Sequence, residues 1–260
     1  MRRHWFGFFF AISALVGLGA AQSLPTGDAQ AVALAAQSVA ALTGGIPVAD
    51  VTLNGTVTRI AGSDQQSGTV TLLAKGFSES RADLNLSGGN RSEIRNTNGN
   101  PNEGNWIGPD GTVHPIALHN CFTDPSWFFP ALGTLAAAAM NPNIVLTYVG
   151  LEVLGQSSVQ HIHAHTYDSY FSDAQQLTAM DFYLDPQTLL PLVITFNEHP
   201  DADSMTDIAV QVLFSDYRSA NGATVPFHIQ RFVNNTLILD IQLASSTINS
   251  GIADSIFTVQ

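Results

Sequence analysis

The sequence predicts an α+β fold in which a strongly curved antiparallel sheet, an incomplete β-barrel, wraps around helices. Three observations lead there. From Asp50 onward the apolar residues recur at period two for most of the chain, the spacing that puts alternate side chains on one face of a strand. The connectors are short clusters of Gly, Asn, Asp and Ser, which favours antiparallel neighbours over helical crossovers. Only two stretches carry helical character, and so many twisted strands seldom stay flat.

In chain order, residues 1–21 read as a secretory signal peptide: Arg2 and Arg3, an apolar run from Trp5 to Leu18, and the small residues Gly19-Ala20-Ala21. The apolar run is shorter than the ~20 residues a membrane span needs. The mature part, 22–260, reads as a single domain, exported to a periplasm or secreted, with no stable membrane insertion after cleavage. A helix follows, capped by Asp28, built on Ala29 to Leu42 and stopped by Gly44-Gly45, with Val32, Ala36, Val39 and Leu42 as its apolar stripe. Strands are expected near 50–60, 68–76, 80–87, 91–97, 103–108 and 112–118. The segment from Asp124 to Met140 interrupts them. Asp124 before Pro125 signals a helix start, and Pro130 divides the segment into two helical pieces. Trp127, Phe128, Phe129, Leu132, Leu135 and Met140 leave it almost no polar face, so it belongs inside the fold. Strands resume near 144–154, 157–167, 177–185 and 190–198. A final meander has apolar rows Ile208, Val210, Val212, Phe214 and Leu237, Leu239, Ile241, Leu243, with turns at Asn221-Gly222 and Asn234-Asn235. That makes about thirteen candidate strands.

Composition narrows the function. Without Arg2 and Arg3, seven basic residues face 21 acidic ones, a net charge of −14, and Lys75 is the only lysine. Such a surface repels phosphate backbones and anionic headgroups, so nucleic acid is not an expected partner. Cys121 is the only cysteine, so no internal disulfide can form and stability rests on packing; burial is the expected state of its thiol.

Several phrases of the sequence resemble the periplasmic lipoprotein-carrier superfamily, which includes LolA, LolB, the LprG and LppX lipid carriers and RseB. They are the leading helix, Tyr148-Val-Gly-Leu-Glu-Val-Leu-Gly155, Phe182-Tyr-Leu-Asp-Pro-Gln-Thr-Leu-Leu-Pro191, Phe214-Ser-Asp-Tyr-Arg-Ser-Ala-Asn-Gly222 with Pro226-Phe-His-Ile229, and Ile248 to Phe257. The likeness covers Leu146 to the C-terminus; the first half shares only the layout. The resemblance implies a half-barrel of about eleven strands, a helical lid, here Asp124 to Met140, and an apolar cavity that shelters acyl chains. On this reading the cavity and lid residues are Trp127, Phe128, Phe129, Leu132, Leu135, Met140, Phe182, Ile194, Phe196, Val212 and Phe214. The cargo is a lipid or lipidated protein, other envelope proteins are further partners, and no cofactor is expected. The chain departs from the family in two ways: no single arginine is assigned to tie the lid shut, and the membrane-inserting loop of the acceptor protein is not evident.

Candidate chemistry is sparse. His161, His163 and His165 alternate along one strand and so share a face. With a further ligand they could hold zinc or copper and support a metal-dependent hydrolase, or they could face water while Ile162 and Ala164 point inward. Asp201, Asp203 and Asp207 lack the glycine and terminal glutamate of a calcium loop. No Gly-x-Ser-x-Gly elbow, His-Glu-x-x-His helix or phosphate-binding glycine loop is present. The favoured reading is therefore a non-enzymatic exported carrier or sensor. The alternatives are the hydrolase and an envelope protein-interaction module with a filled interior.

Overall fold

A computed structural model describes residues 27–97 and 103–259. The expected signal peptide, residues 1–21, lies outside the described residues.

The chain opens with helix α1 (Ala29–Thr43). Asp28 accepts a hydrogen bond from the Gln30 amide, and Gly44 takes the left-handed conformation that ends the helix. Six strands follow: β1 (Asp50–Ala61), β2 (Asp64–Lys75), β3 (Glu79–Leu86), β4 (Gly89–Asn96), β5 (Glu103–Ile107) and β6 (Val113–Pro115). A connection then carries a one-turn helix at Leu118–Phe122, another at Pro130–Leu132, and α2 (Thr134–Ala137). Next come β7 (Ile144–Leu154), β8 (Ser157–Thr166), α3 (Ala174–Leu177), β9 (Met180–Leu184), β10 (Pro191–Glu198), β11 (Ile208–Ala220), β12 (Ala223–Val233) and β13 (Thr236–Ile248).

All thirteen strands form one antiparallel sheet in the order β6-β5-β4-β3-β2-β1-β13-β12-β11-β10-β9-β8-β7. The chain walks outward to β6, jumps to the opposite edge at β7, and walks back until β13 pairs with β1. Both edges stay free, so the barrel is open. The strand count exceeds the eleven implied by the family resemblance. Register shifts at Asn54/Gly55, Tyr148/Gly150, Pro191/Val193 and Arg231/Phe232 mark bulges, which bend strands and raise their twist.

This topology explains why the segment after β6 is buried. To connect β6 with β7 it must travel the width of the sheet, and it does so across the apolar face. Phe128, Phe129, Leu132 and Leu135 join one core with Leu53 and Leu72 on the β1–β2 side and with Ile162, Phe182, Ile194, Val212 and Phe214 on the β8–β11 side. Helix α1 crosses the same face. Its first turn meets β7, where the Asp28 amide donates to the Leu146 carbonyl; its last touches the β11–β12 turn, where a side chain on Gly44 would collide with the Gly222 carbonyl. Fifteen residues give roughly 22 Å of helix, close to the roughly 24 Å of the five strand spacings between β7 and β12.

Three local expectations change. The face of α1 that meets the sheet is Ala31, Ala35, Ser38 and Leu42, one step round from the expected stripe; Val32 and Ala36 are exposed. Residues 124–129 form turns, not a helix, because Asp124 bonds across the loop instead of starting a helical turn. Finally, β11 does not end at Phe214: Asp216, at φ 52°, forms an irregularity and pairing with β12 continues to Ala220.

Candidate functional site

The expected lid is an aromatic plug with an apolar trough beside it. Trp127, Phe128, Phe129, Leu132 and Leu135 are each at most 3% exposed. Asp124 ties the two ends of their loop together: its carboxylate accepts from the Ser126 amide at 3.1 Å and, ten residues along, from the Thr134 amide at 2.8 Å. Burial pushes the Asp124 carboxyl above the ordinary carboxylate range, against the opposing pull of those hydrogen bonds.

The plug is fastened to the sheet by buried arginines, which the sequence did not single out. Arg95 on β4 donates to the Asn120 carbonyl at 2.7 Å and the Thr123 hydroxyl at 3.0 Å, while its Nε pairs with Glu93 at 2.8 Å. Arg231 on β12 bonds Glu198 and lies over the Trp127 ring, 4.8 Å from its centroid. Burial alone would raise the Glu93 carboxyl, but Arg95 and Arg231 hold it below its usual value. Asn120 also exchanges two bonds with the His199 backbone, at 2.7 and 2.8 Å. These ties supply the arginine link that no sequence motif identified.

On the outer side of the plug, a recess of about 220 Å³ runs between α1 and α2, lined by Val32, Ala35, Ala36, Val39, Leu135, Ala136, Ala138, Ala139 and Leu146. A second recess of about 430 Å³ shares Ala36, Val39, Ala136 and Ala139 with it, and extends past Ile46, Val48 and Phe77 to Met140. Phe77 also lines a third space of about 360 Å³ on the far side of α2, with Cys121, Asp124, Ile144 and Phe171. The first two form an apolar trough beside α2, whereas the third has Asp124, Thr134, Asp168 and Thr178 in its wall. The rim of the trough leaves Met140 77% and Val32 50% exposed, with Ile46 and Phe77 also reaching solvent. Of the residues expected to line a cavity, Leu135 and Met140 border this trough. Trp127, Phe128, Phe129, Leu132, Phe182, Ile194, Phe196, Val212 and Phe214 are buried in the core. The expected α1 stripe contributes Val32, Ala36 and Val39 to the trough wall. Cys121 is buried and unpaired, and burial raises its thiol pKa.

The three histidines lie on the opposite, convex face, with Ile162 and Ala164 fully buried behind them. His161 Nε2 and His163 Nδ1 both donate to one oxygen of Asp181 on β9, at 2.8 and 2.9 Å. Two of the three imidazoles thus each spend one nitrogen on a shared carboxylate. Among the described residues no group of three or more His, Cys, Asp or Glu is arranged to hold a metal ion. A hydrolase built on His161, His163 and His165 therefore has no such arrangement among the described residues to support it. Asp203 likewise accepts from the Met205 amide and the Thr206 hydroxyl, as a turn residue does.

No protein-family model matches the chain, and no curated protein matches it in sequence. Solved structures do match. A domain described as an outer-membrane lipoprotein-sorting protein from Vibrio parahaemolyticus has a TM-score of 0.58 at 11% identity, over 88% of this chain and 96% of that one. A LolA superfamily protein from Nitrosomonas europaea gives 0.54 at 11% identity, over 88% and 97%. The chain has the LolA-like fold. A DUF1329 family protein from Desulfovibrio piger, TM-score 0.55 at 11% identity over 88% and 96%, shares the same half-barrel. Across these likenesses the half-barrel persists while nearly nine residues in ten differ, so the shared element is the architecture. Among the described residues of this half-barrel no helix is long and apolar enough to cross a membrane.

Proposed function

We propose that this half-barrel is an exported, non-enzymatic carrier or sensor that shelters an acyl chain, presented by a lipid or a lipidated protein, in the trough beside α2. The observation that carries the reading is the trough itself: two apolar recesses that share Ala36, Val39, Ala136 and Ala139, with Met140, Val32, Ile46 and Phe77 on their rim in contact with water. An acyl chain needs no directional chemistry. Covering about six methylenes is worth roughly 5 kcal/mol, a sub-millimolar affinity, and a longer chain binds more tightly. The first recess alone is smaller than the roughly 300–1,000 Å³ of a typical ligand pocket. A chain must therefore run along the channel from one recess to the next. Export of the mature part, 22–260, accords with the signal-peptide pattern of residues 1–21.

The test is solvent extraction of the purified mature protein followed by lipid mass spectrometry, with displacement of a fluorescent fatty acid as the quantitative assay. Wild-type protein binds the probe; Ala139→Trp, which fills the channel from an exposed position, and Val32→Asp, which places a carboxylate in its wall, each weaken binding by roughly tenfold or more, at least 1.4 kcal/mol. Equal affinity in all three proteins refutes the trough as the site.

One observation favours a second reading. The deep interior is filled by Trp127, Phe128 and Phe129, as expected of a protein-interaction module with a closed core. Such a module copurifies with no lipid and leaves the fatty acid free at any concentration.

A further inference from the structure

The convex-face histidines join three strands. Glu152 stands on the edge strand β7, His161 and His163 on β8, and Asp181 on β9. Because a carboxylate can only accept, both imidazole nitrogens facing Asp181 carry protons. In a neutral His161 ring the other nitrogen, Nδ1, must then present a lone pair. It sits 3.1 Å from Glu152 Oε2 without alignment as a hydrogen bond, so two acceptors face each other. A second proton on His161 converts that opposition into an ion pair.

The outer half of β7 has little else to hold it. Among the described strands only β8 pairs with it, a bulge interrupts the ladder between Tyr148 and Gly150, and at and beyond the bulge Val149, Leu151 and Val153 are 49%, 62% and 73% exposed. On the inner face, the Tyr148 hydroxyl donates to Gln160 at 2.6 Å.

We propose that Glu152, His161, His163 and Asp181 form a proton-operated clasp that tightens the outer half of edge strand β7, residues 147–154, onto β8 and β9 in acid and loosens it above neutrality. The other ionisable groups facing it are His165 on β8 and Tyr183 on β9, the latter stacked on His161 at 4.4 Å; α3, which also packs on β8, brings only Ala, Gln and Leu. The Asp181 hydrogen bond raises the His163 pKa, so the stability it adds is complete below the ordinary histidine value and lost as pH rises through the raised one. His165 shifts the opposite way, lowered first by burial and then by the His163 charge, so its effect on overall stability has the reverse sign. A melting temperature would blend the two, so the clasp must be measured locally.

The experiment is amide hydrogen exchange on the mature protein between about pH 5.5 and pH 8, the range of histidine titration, with each rate corrected for intrinsic exchange. Protection of residues 147–154 should fall about tenfold across that range as the clasp loses its proton. Glu152→Gln, at a half-exposed site, flattens the dependence, whereas Tyr148→Phe lowers protection equally at every pH. Wild-type protection that does not vary with pH, an unchanged slope in Glu152→Gln, or a stoichiometric metal ion retained by these residues overturns the clasp. Since Leu146 of β7 also lines the trough, fatty-acid affinity should follow the same pH profile. That consequence alone rests on the acyl-binding reading: a β7 slope with no fatty-acid binding refutes the carrier and leaves the clasp standing.

Discussion

Replacing Arg95 with Met tests whether the plug is pinned by charge. The side chain of Arg95 is only 4% exposed and makes an ion pair with Glu93 and two bonds to the connection that crosses the sheet, at Asn120 and Thr123. Methionine keeps much of the length and apolar contact but removes all five donors. Breaking a fully buried pair costs about 3–5 kcal/mol, because the remaining charge has no partner. Here the cost is smaller. Glu93 keeps 29% of its side chain in water, and Glu198, 3.8 Å from Arg95, still has Arg231. We therefore expect about 2–3 kcal/mol, most of it from the stranded Asn120 carbonyl and the unpaired Glu93. Glu93→Gln in the Arg95→Met background should recover about 1 kcal/mol or more, and urea unfolding of the four proteins of that cycle measures the coupling. The pH dependence gives a second check. Arg95 and Arg231 depress the Glu93 pKa, so wild-type stability from this group is present above the unfolded carboxylate value and lost as pH falls through the depressed one. Arg95→Met shrinks that acid-side loss. A destabilisation below ~0.5 kcal/mol, or an additive cycle, would show that the plug holds by packing alone.

Three further perturbations probe the same region. Phe129→Ala, at a fully buried plug position, should cost about 3–5 kcal/mol in urea unfolding; a loss under 1 kcal/mol means that the plug is not core. Asp124→Asn keeps the shape but turns one acceptor into a donor against the Ser126 or Thr134 amide, for an expected loss of about 1–3 kcal/mol. Because the folded Asp124 pKa is raised, wild-type stability should also fall as pH climbs from the ordinary carboxylate range to the raised value, and Asp124→Asn should lack that slope in a pH series of unfolding curves. Gly44→Ala combines a left-handed backbone, φ 61°, with a Cβ placed 2.0 Å from the Gly222 carbonyl, so thermal unfolding should register more than the ~1 kcal/mol of the conformational term alone.

The strands and the first helix were legible because their determinants are local. A period-two row such as Ile208, Val210, Val212 needs no knowledge of its partner strand, and Asp28 with Gly44 marks the helix ends from adjacent residues. What could not be read depends on contacts between residues far apart in sequence. In α1 the face Val32-Ala36-Val39 is the more apolar by composition, yet Ala31-Ala35-Ser38 meets the sheet, with the helix start anchored to β7 at Leu146. The Asp124-Pro125 signal was local and misleading, since the carboxylate reaches an amide ten residues on. The histidine alternation was visible, yet its meaning waits on the β8–β9 register that sets Asp181 opposite His163. Arg95 left no mark on the sequence because its partners in the connection, Asn120 and Thr123, lie 25 and 28 positions away. A physical rule accounts for the pattern. Backbone preference and one-sided burial act within a few residues and fix the sheet, whereas the few buried polar groups are satisfied only after the sheet has brought distant segments together. The candidate site belongs almost wholly to the second kind. The sheet, which rests on the first kind, is what this half-barrel shares with structures only 11% identical to it.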